Sequence, residues 1–327
     1  MKVLITGVTG FVGSHLVEYI HEQHPETEIH GIKRWRSNTN NVNHLDGMIT
    51  YHDCDIKDAH NVNNLINDIK PDRIFHLAAQ SFVPTSWESP SETFEINIIG
   101  QCNIFESVRK IQSKTYNPAI QIACSSEEYG LVLPLEVPIK ETNPLRPLSP
   151  YAVSKVAQDF MGYQYFKSYG LQIIRTRAFN HSGPRRGEVF VDSNFAKQIA
   201  EIEIGKHPSV IEVGNLEAIR DFTDVRDIVE AYWLSTYKCV PGEEYNICSG
   251  RGYKIEDVLN HLISLSTSHN ITIHKNPNRA RPSDVPILIG DNSKFKKATG
   301  WSPKIDYMTK TLADTMDFWR ARVRSKE

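Results

Sequence analysis

Two residues four positions apart, Tyr151 and Lys155, could carry proton-transfer chemistry. They follow a proline-rich loop and open a predicted helix, on which side chains four apart lie on one face. A phenol with a pKa of about 10 is a poor acid or base at neutral pH, and a fixed ammonium beside it favours the phenolate. The pair therefore indicates a general acid or base, although an exposed Tyr–Lys pair on a solvated helix has the same spacing.

A second group of chemically useful residues follows a predicted strand. Ser125, Ser126 and Glu127 come directly after the apolar run at 120–124. Ligands in open α/β sheets bind at the carboxyl ends of such strands. These hydroxyls and this carboxylate are therefore expected to face a bound cofactor. The alternative for Glu127 is a strand-end carboxylate that caps the next turn.

The elements that would hold a cofactor begin at the N-terminus, where a short apolar run at 3–5 leads into glycines at 7, 10 and 13. This order predicts a buried strand, a tight turn and a helix from about Phe11 to Gln23, whose first N–H groups can bind a pyrophosphate. The spacing G-x-x-G-x-x-G differs from the usual G-x-G-x-x-G. The residues expected to contact the dinucleotide are Gly7, Thr9, Gly10, Phe11, Val12 and Gly13.

The end of the second predicted strand, 28–32, bears on the choice of cofactor. An NAD enzyme usually carries Asp or Glu there, whereas this chain has Lys33 and Arg34. A cation at this point can hold a 2′-phosphate, so NADP is favoured over NAD, with Arg34 as the candidate contact. An exposed basic loop is the alternative.

Strands and helices alternate to about residue 177. Further strands are expected at 48–51, 73–80, 120–124 and 171–177, and further helices at 58–69, 91–111 and 151–168. This pattern predicts an α/β protein with a Rossmann-type doubly wound parallel sheet over 1–179. A segment near 222–262, with a helix capped by Asp224 and a strand at 245–248, is expected to return to it. The smaller mixed α/β lobe at 180–327 would bind the substrate.

Composition excludes several classes of function. The 327 residues are 40% hydrophobic and 23% charged with a formal net charge of −2, which gives no electrostatic footprint for nucleic acid or an anionic membrane. No apolar run approaches the roughly 18 residues of a membrane span. The five cysteines are scattered, so we expect free thiols in the cytoplasm and no metal site.

The glycine turn, Ser125 after the fifth strand and the Tyr151–Lys155 pair occur in the order found in extended short-chain dehydrogenase/reductases, which the chain resembles over essentially its whole length. The resemblance implies that Tyr151 moves a proton at a substrate hydroxyl while a hydride passes to or from the nicotinamide. It also implies that Lys155 holds the ribose and tunes Tyr151, and that Ser125 orients the oxygen.

Several stretches are similar to the GDP-mannose 4,6-dehydratases within that family, at 79–83, 87–90, 125–127, 183–188 and 281–285. This similarity implies NADP-dependent dehydration of a GDP-hexose, either GDP-mannose or a GDP-manno-heptose, to the 4-keto-6-deoxy sugar. The steps would be C4 oxidation, C5 deprotonation by Glu127 with loss of water, and hydride return to C6. The dehydratases usually have Thr where Ser125 stands.

Other stretches, at 145–150, 213–218 and 221–227, are similar to GDP-4-keto-6-deoxymannose reductases. An NAD(P)H-dependent reductase is therefore the alternative, and a non-catalytic cofactor-sensing scaffold is a remote one. The loop at Arg34 and the double arginine of Arg185 and Arg186 favour the dehydratase, because the reductases tend to lack the double arginine. Glu127 does not separate the two, because reductases of this type can keep that carboxylate.

The resemblance also implies further contacts and an assembly. Additional cofactor contacts would be Asp55, Ile56, Leu77, Ala78, Ala79 and Ser81. Substrate contacts would be Ser81, Ser126, Asn180, Val191, Lys197, Arg220 and Arg281. The expected partner is a GDP-sugar, and the expected assembly is a homodimer or homotetramer.

Overall fold

The structure is a computed structural model that describes residues 1–277 and 285–325. In chain order the strands β1 to β13 are Lys2–Thr6, Glu28–Lys33, Thr50–Asp53, Arg73–His76, Ala119–Ser125, Gln172–Ala178, Asn180–Ser182, Val210–Val213, Ile219–Asp224, Glu244–Ile247, Gly252–Lys254, Thr272–Lys275 and Ile287–Leu288. The helices α1 to α11 are Phe11–Gln23, Ala59–Ile69, Val83–Glu88, Pro90–Phe94, Gly100–Ile111, Pro150–Tyr169, Val191–Glu203, Val225–Lys238, Ile255–Ser264, Ser293–Thr299 and Leu312–Arg324.

Seven parallel strands form the central sheet in the order β3-β2-β1-β4-β5-β6-β10. Strands β1 and β5 in the middle of the sheet are mostly apolar and buried, as expected for strands covered on both faces. One apolar core packs α1 and α8 on one face, and a second packs α2, α5 and α6 on the other. The predicted doubly wound sheet is confirmed, and the strand order reverses beside β1, where such sheets bind ligands.

The second lobe has its own sheet, in which β9 lies between β11 and β13 and also pairs with β7. Its core packs the apolar faces of α7, α9 and α11. The chain returns to the first sheet as expected, because α8 packs on α1 and β10 pairs with β6. Helix α9, at the end of the segment expected to return, belongs instead to the core of the second lobe.

Helix boundaries follow local side-chain chemistry. The Asp224 carboxylate accepts a 2.8 Å hydrogen bond from the Arg226 amide and caps α8, as the sequence indicates. The Ser149 hydroxyl accepts from the Ala152 amide at 3.1 Å and caps α6. Both caps fix helices that border the sheet's carboxyl edge.

The long helix expected over 91–111 is interrupted. A π turn at Glu95–Ile99 separates α4 from α5. The turn holds the buried Asn97, whose amide group bonds both the N–H and the C=O of Gln80 and also the Ser154 hydroxyl. An inserted residue of this kind turns a side chain out of the regular helical pattern, which local periodicity does not report.

Strand β4 ends at His76 rather than at Gln80. The chain turns after it because the Thr6 hydroxyl accepts hydrogen bonds from the amides of Leu77 and Ala78 at 3.1 and 3.0 Å. This turn opens space at the end of β4. None of the helices in the two described ranges has the length and apolar character that crossing a bilayer would require.

Candidate active site

A cavity of about 1440 Å³ lies between the central sheet and the second lobe. Single-ligand pockets are typically about 300–1000 Å³, so this one has room for a dinucleotide and a second ligand. Every site residue expected from the sequence borders it except Arg281, which lies outside the described residues. They are Gly7, Thr9, Gly10, Phe11, Val12, Gly13, Arg34, Asp55, Ile56, Leu77, Ala78, Ala79, Ser81, Ser125, Ser126, Glu127, Tyr151, Lys155, Asn180, Val191, Lys197 and Arg220.

Tyr151 and Lys155 occupy the first turns of α6, at the carboxyl edge of β5. Tyr151 is 8% exposed and Lys155 is 3% exposed, so the exposed-pair alternative is excluded. The Lys155 ammonium donates a 2.8 Å hydrogen bond to the carbonyl of Ala123 and lies 5.8 Å from the centre of the Tyr151 ring. The lysine is thereby fixed in place beside the tyrosine.

Burial controls the protonation state of Tyr151. Burial raises the pKa of Tyr151, the Ser125 hydroxyl partly opposes this by a hydrogen bond, and the charge of Glu127 raises the pKa further. Burial also lowers the pKa of Lys155. In the protein without ligands, the loss of hydration therefore favours the protonated phenol at neutral pH.

The two glutamates in the turn after β5 have different surroundings. The Ser125 hydroxyl accepts from the Glu127 amide at 3.2 Å, and the Glu128 carboxylate accepts from the Ser125 amide at 2.8 Å. Glu128 is fully buried and supplies the cap. The carboxylate of Glu127 borders the cavity instead, so the capping alternative for Glu127 is excluded.

The glycine turn fits a dinucleotide. Gly7 has φ +69°, and a Cβ on Gly13 would lie 2.5 Å from the Gly7 carbonyl, so the turn admits no side chain at either position. Gly10 precedes α1 and gives it no side-chain cap. The first N–H groups of α1 therefore point to the cavity with no capping side chain, as a bound pyrophosphate requires.

The three cations at the end of β2 and just after it, Lys33, Arg34 and Arg36, make different contacts. Lys33 pairs with Asp53 at 2.6 Å, and the Arg36 guanidinium lies 4.3 Å from the centre of the Trp35 ring. Arg34 borders the cavity and forms no ion pair with any described residue. Among these three cations, Arg34 is therefore the one placed to meet an anion in the cavity.

Two cavity residues, His181 and Arg186, were missed as site residues. The His181 ring stacks on Phe11 with centroids 6.0 Å apart, and its Nδ1 donates to the carbonyl of Phe179, which leaves Nε2 as an acceptor. The Arg186 guanidinium lies 3.6 Å from the centre of the Phe190 ring. Burial lowers the pKa of His181 to about 4 and that of Arg186 to about 10.

Three polar residues border the cavity from the second lobe. Asn180 lies on β7, Lys197 on α7 and Arg220 on β9. The Lys197 ammonium is 2.6 Å from the Glu188 carboxylate. Arg220 donates to the carbonyl of Ile219 at 3.0 Å. Both cations are thus held in defined positions at this side of the cavity.

The chain matches one protein family and is similar to several known proteins and solved structures. The family described as GDP-mannose 4,6 dehydratase matches residues 4–315. A GDP-mannose 4,6-dehydratase of Yersinia enterocolitica is 33% identical, over 93% of this chain and 90% of its own. A GDP-6-deoxy-D-mannose reductase of Pseudomonas aeruginosa is 28% identical, over 99% of both chains. The solved structure of RMD from Pseudomonas aeruginosa complexed with NADPH is 27% identical, covers 98% of this chain and 99% of its own, and has a TM-score of 0.82.

Proposed function

The chain belongs to the GDP-mannose 4,6-dehydratase family, and on this premise we propose that it dehydrates a GDP-hexose, GDP-mannose or a GDP-manno-heptose, to the 4-keto-6-deoxy sugar. The observation that carries the proposal is that Glu127 lines the cavity together with Ser125 and Tyr151 and lies close enough for its charge to raise the pKa of Tyr151. With a nicotinamide as the hydride acceptor, oxidation of a sugar alcohol needs the hydroxyl groups of Ser125 and Tyr151 but no carboxylate. Removal of a carbon-bound proton at C5 needs a further base, and Glu127 supplies one.

Each side chain has a separate role in the proposed reaction. Ser125 holds the oxygen at C4, and Tyr151 takes the proton of that hydroxyl. A nicotinamide held in the cavity would supply hydride transfer between C4 and C6, with no net change in its oxidation state. Glu127 removes the C5 proton, which the new ketone at C4 has made acidic, and passes it to the departing C6 oxygen, which leaves as water. Tyr151 then gives its proton to C5, so the sugar loses one water and the oxidation state of the cofactor is restored.

The proposed cofactor is NADP. The solved RMD structure is complexed with NADPH, and Arg34 offers a guanidinium that has no ion-pair partner among the described residues, where an NAD enzyme usually has a carboxylate. His181 and Arg186 are proposed as additional contacts of the nicotinamide half, because they lie against Phe11 at the start of α1.

The proposed contacts of the diphosphate are Asn180, Lys197 and Arg220, together with Arg281, which lies outside the described residues. The proposed contacts of the sugar and the base are Ser81, Ser126 and Val191. Cations on the second lobe suit a doubly charged diphosphate. We further propose that the enzyme works in the cytoplasm as a homodimer or homotetramer, which sedimentation of the purified protein tests.

Solvent deuterium tests the assignment of Glu127. When GDP-mannose and NADP are incubated with the enzyme in heavy water, the 4-keto-6-deoxy product should carry deuterium at C5. Glu127→Gln should oxidise C4 but form the dehydrated product at least about 100-fold more slowly, because no base removes the C5 proton. Dehydration at the wild-type rate by Glu127→Gln would remove the carboxylate from the mechanism.

A reductase is the second candidate, favoured by one observation in addition to the Pseudomonas aeruginosa relative. Burial keeps Tyr151 protonated at neutral pH, and a phenol that gives its proton to a ketone oxygen is what the reduction of a 4-keto sugar requires. Oxidation of NADPH by the 4-keto-6-deoxy sugar, with no dehydration of GDP-mannose, would select this function.

A further inference from the structure

The two consecutive glutamates after β5 face opposite ways. Glu127 borders the cavity, whereas Glu128 is fully buried beneath the turn that carries Ser125 and Glu127. A buried carboxylate needs hydrogen bonds and a positive partner to offset its loss of hydration. The partners of Glu128 connect this turn to the helix of Tyr151 and Lys155.

The first Glu128 oxygen closes the turn. It accepts from the Ser125 amide at 2.8 Å, while the Ser125 hydroxyl accepts from the Glu127 amide at 3.2 Å. The far end of the turn is also fixed: Gly130 has φ +53°, and a Cβ there would lie 1.8 Å from the Arg146 carbonyl. The turn therefore has a fixed end on each side of Glu127 and Glu128.

The second Glu128 oxygen lies 3.4 Å from the Nε of Arg177, on the neighbouring strand β6. The same Nε donates to the carboxylate of Asp159 at 2.8 Å. Arg175 also donates to Asp159. These side chains are at most 5% exposed, so water does not screen their contacts.

Asp159 is on α6, one helical turn beyond Lys155 and two beyond Tyr151. A continuous set of contacts therefore runs from the Ser125 amide through Glu128, Arg177 and Asp159 to the helix of the proton-transfer pair. Glu128, Asp159 and Cys124 have ligand atoms within 4.8 Å of one another, which is close enough for a metal, but the Arg177 guanidinium already supplies positive charge between the two carboxylates.

We propose that Glu128 is a positioning residue, which fixes the turn bearing Ser125 and Glu127 relative to the helix bearing Tyr151 and Lys155 through the Ser125 amide and the Arg177 guanidinium. Ser125 and Tyr151 must meet the same oxygen and Glu127 the adjacent carbon, and a displacement of about 1 Å can cost on the order of 100-fold in rate. Glu128 itself is not among the described residues that line the cavity. The catalytic part of this inference rests on the proposed function.

Two substitutions separate the two contacts. Burial and the charge of Asp159 raise the pKa of Glu128, which the Arg177 guanidinium opposes. Glu128→Gln keeps an oxygen for the Ser125 amide but loses the second carboxyl oxygen, which faces Arg177, whereas Glu128→Leu loses both. We expect kcat to fall about 10-fold in Glu128→Gln and about 100-fold in Glu128→Leu. The KM for GDP-mannose and the Kd for NADP should stay within about twofold, because neither binding surface is touched.

A neighbouring turn supplies the matched control. The Glu136 carboxylate accepts from the Leu133 amide at 2.8 Å and pairs with Arg146, which repeats the arrangement of Glu128 away from the cavity. Glu136→Gln should leave kcat unchanged. Hydrogen–deuterium exchange of the peptide spanning 125–129 gives a readout independent of substrate, and it should quicken in Glu128→Leu and stay as in the wild type in Glu136→Gln.

The possible results distinguish a wrong role for Glu128 from a wrong proposed function. The proposal would be overturned if kcat per NADP-binding molecule in Glu128→Leu stayed within twofold of the wild type. It would also be overturned if kcat and NADP binding fell equally in both variants, because equal losses indicate general unfolding. If Glu128→Leu does not fold, Glu128→Gln decides by the same criteria. If the wild type failed to dehydrate GDP-mannose, this would contradict the proposed function instead, and kcat would then be measured with NADPH and the 4-keto-6-deoxy sugar. Unchanged hydrogen–deuterium exchange of the 125–129 peptide in the Glu128 variants would still overturn the role of Glu128.

Discussion

The Lys155 ammonium donates a 2.8 Å hydrogen bond to the backbone carbonyl of Ala123, so the second turn of α6 is fastened to the carboxyl end of β5. The same contact holds a buried positive charge close to the Tyr151 phenol. Because the ammonium is held by the main chain, its position does not depend on a bound ligand. The proton-transfer pair is thereby largely preorganised.

Replacement of Lys155 tests this preorganisation. Lys155→Met removes the fixed charge and the hydrogen bond, so kcat should fall by about 100-fold or more and the KM for the cofactor should rise. Steady-state kinetics measures both. Lys167→Met, an exposed position on the same helix, is the control and should be unchanged. Wild-type kcat in Lys155→Met would show that its charge has no part in the reaction.

The activity should rise with pH. Burial raises the pKa of Tyr151, so the phenol is protonated at neutral pH and the fraction able to take a proton from the C4 hydroxyl grows as pH increases toward that pKa. We expect kcat/KM for dehydration to rise from about pH 6 to about pH 9, and Tyr151→Phe to remove at least about 1000-fold of the activity with no such rise. A wild-type kcat/KM that falls over this range would contradict the assignment.

His76 should make stability depend on pH. Its side chain is 2% exposed, and burial lowers its pKa to about 3 from a value near 6.5 when unfolded. Below pH 6.5 the unfolded state binds the proton and the folded state does not, so stability falls as pH falls from about 6.5 toward about 3. The loss from this group between about pH 7 and about pH 5 should be about 2 kcal/mol.

Urea unfolding at the two pH values measures this loss. His76→Asn keeps a group that can bond the Thr6 hydroxyl, which His76 Nδ1 contacts at 2.9 Å, but it does not titrate. The difference in unfolding free energy between the two pH values should therefore be about 2 kcal/mol smaller in His76→Asn than in the wild type. Equal differences would show that His76 is not a buried neutral group.

Cofactor preference should depend on Arg34. Arg34→Met removes the guanidinium proposed to hold the 2′-phosphate, so the KM for NADP should rise about 10- to 100-fold while the KM for NAD changes little. Arg36→Met is the control, because the Arg36 guanidinium stacks on the exposed Trp35. Equal effects of Arg34→Met on both cofactors would place Arg34 elsewhere than at the 2′-phosphate.

The parts of the site that lie at the ends of sheet strands were predictable. The glycine turn, the turn at Ser125 and the start of α6 each follow or precede an element whose pattern is local, and the carboxyl edge of a parallel sheet brings them together. Helix α1 spans the predicted Phe11–Gln23. The order of elements was enough to place Tyr151 beside Ser125.

The rest depends on tertiary contacts that no local pattern contains. His181 on β7 and Arg186 in the loop after it reach Phe11 from about 170 residues further along the chain, and the sequence marked that loop only by resemblance. The π turn serves contacts of Asn97 with Gln80 and Ser154. The raised pKa of Tyr151 follows from burial, which residue spacing alone cannot report.

The most direct measurement is to incubate the purified protein with GDP-mannose and a catalytic amount of NADP, without added reductant, and to follow the mass of the sugar nucleotide. The account predicts that the sugar nucleotide loses the mass of one water over many turnovers per cofactor, with no net formation of NADPH. Unchanged GDP-mannose under these conditions, together with oxidation of NADPH when the 4-keto-6-deoxy sugar is supplied, would contradict it and identify the protein as a reductase.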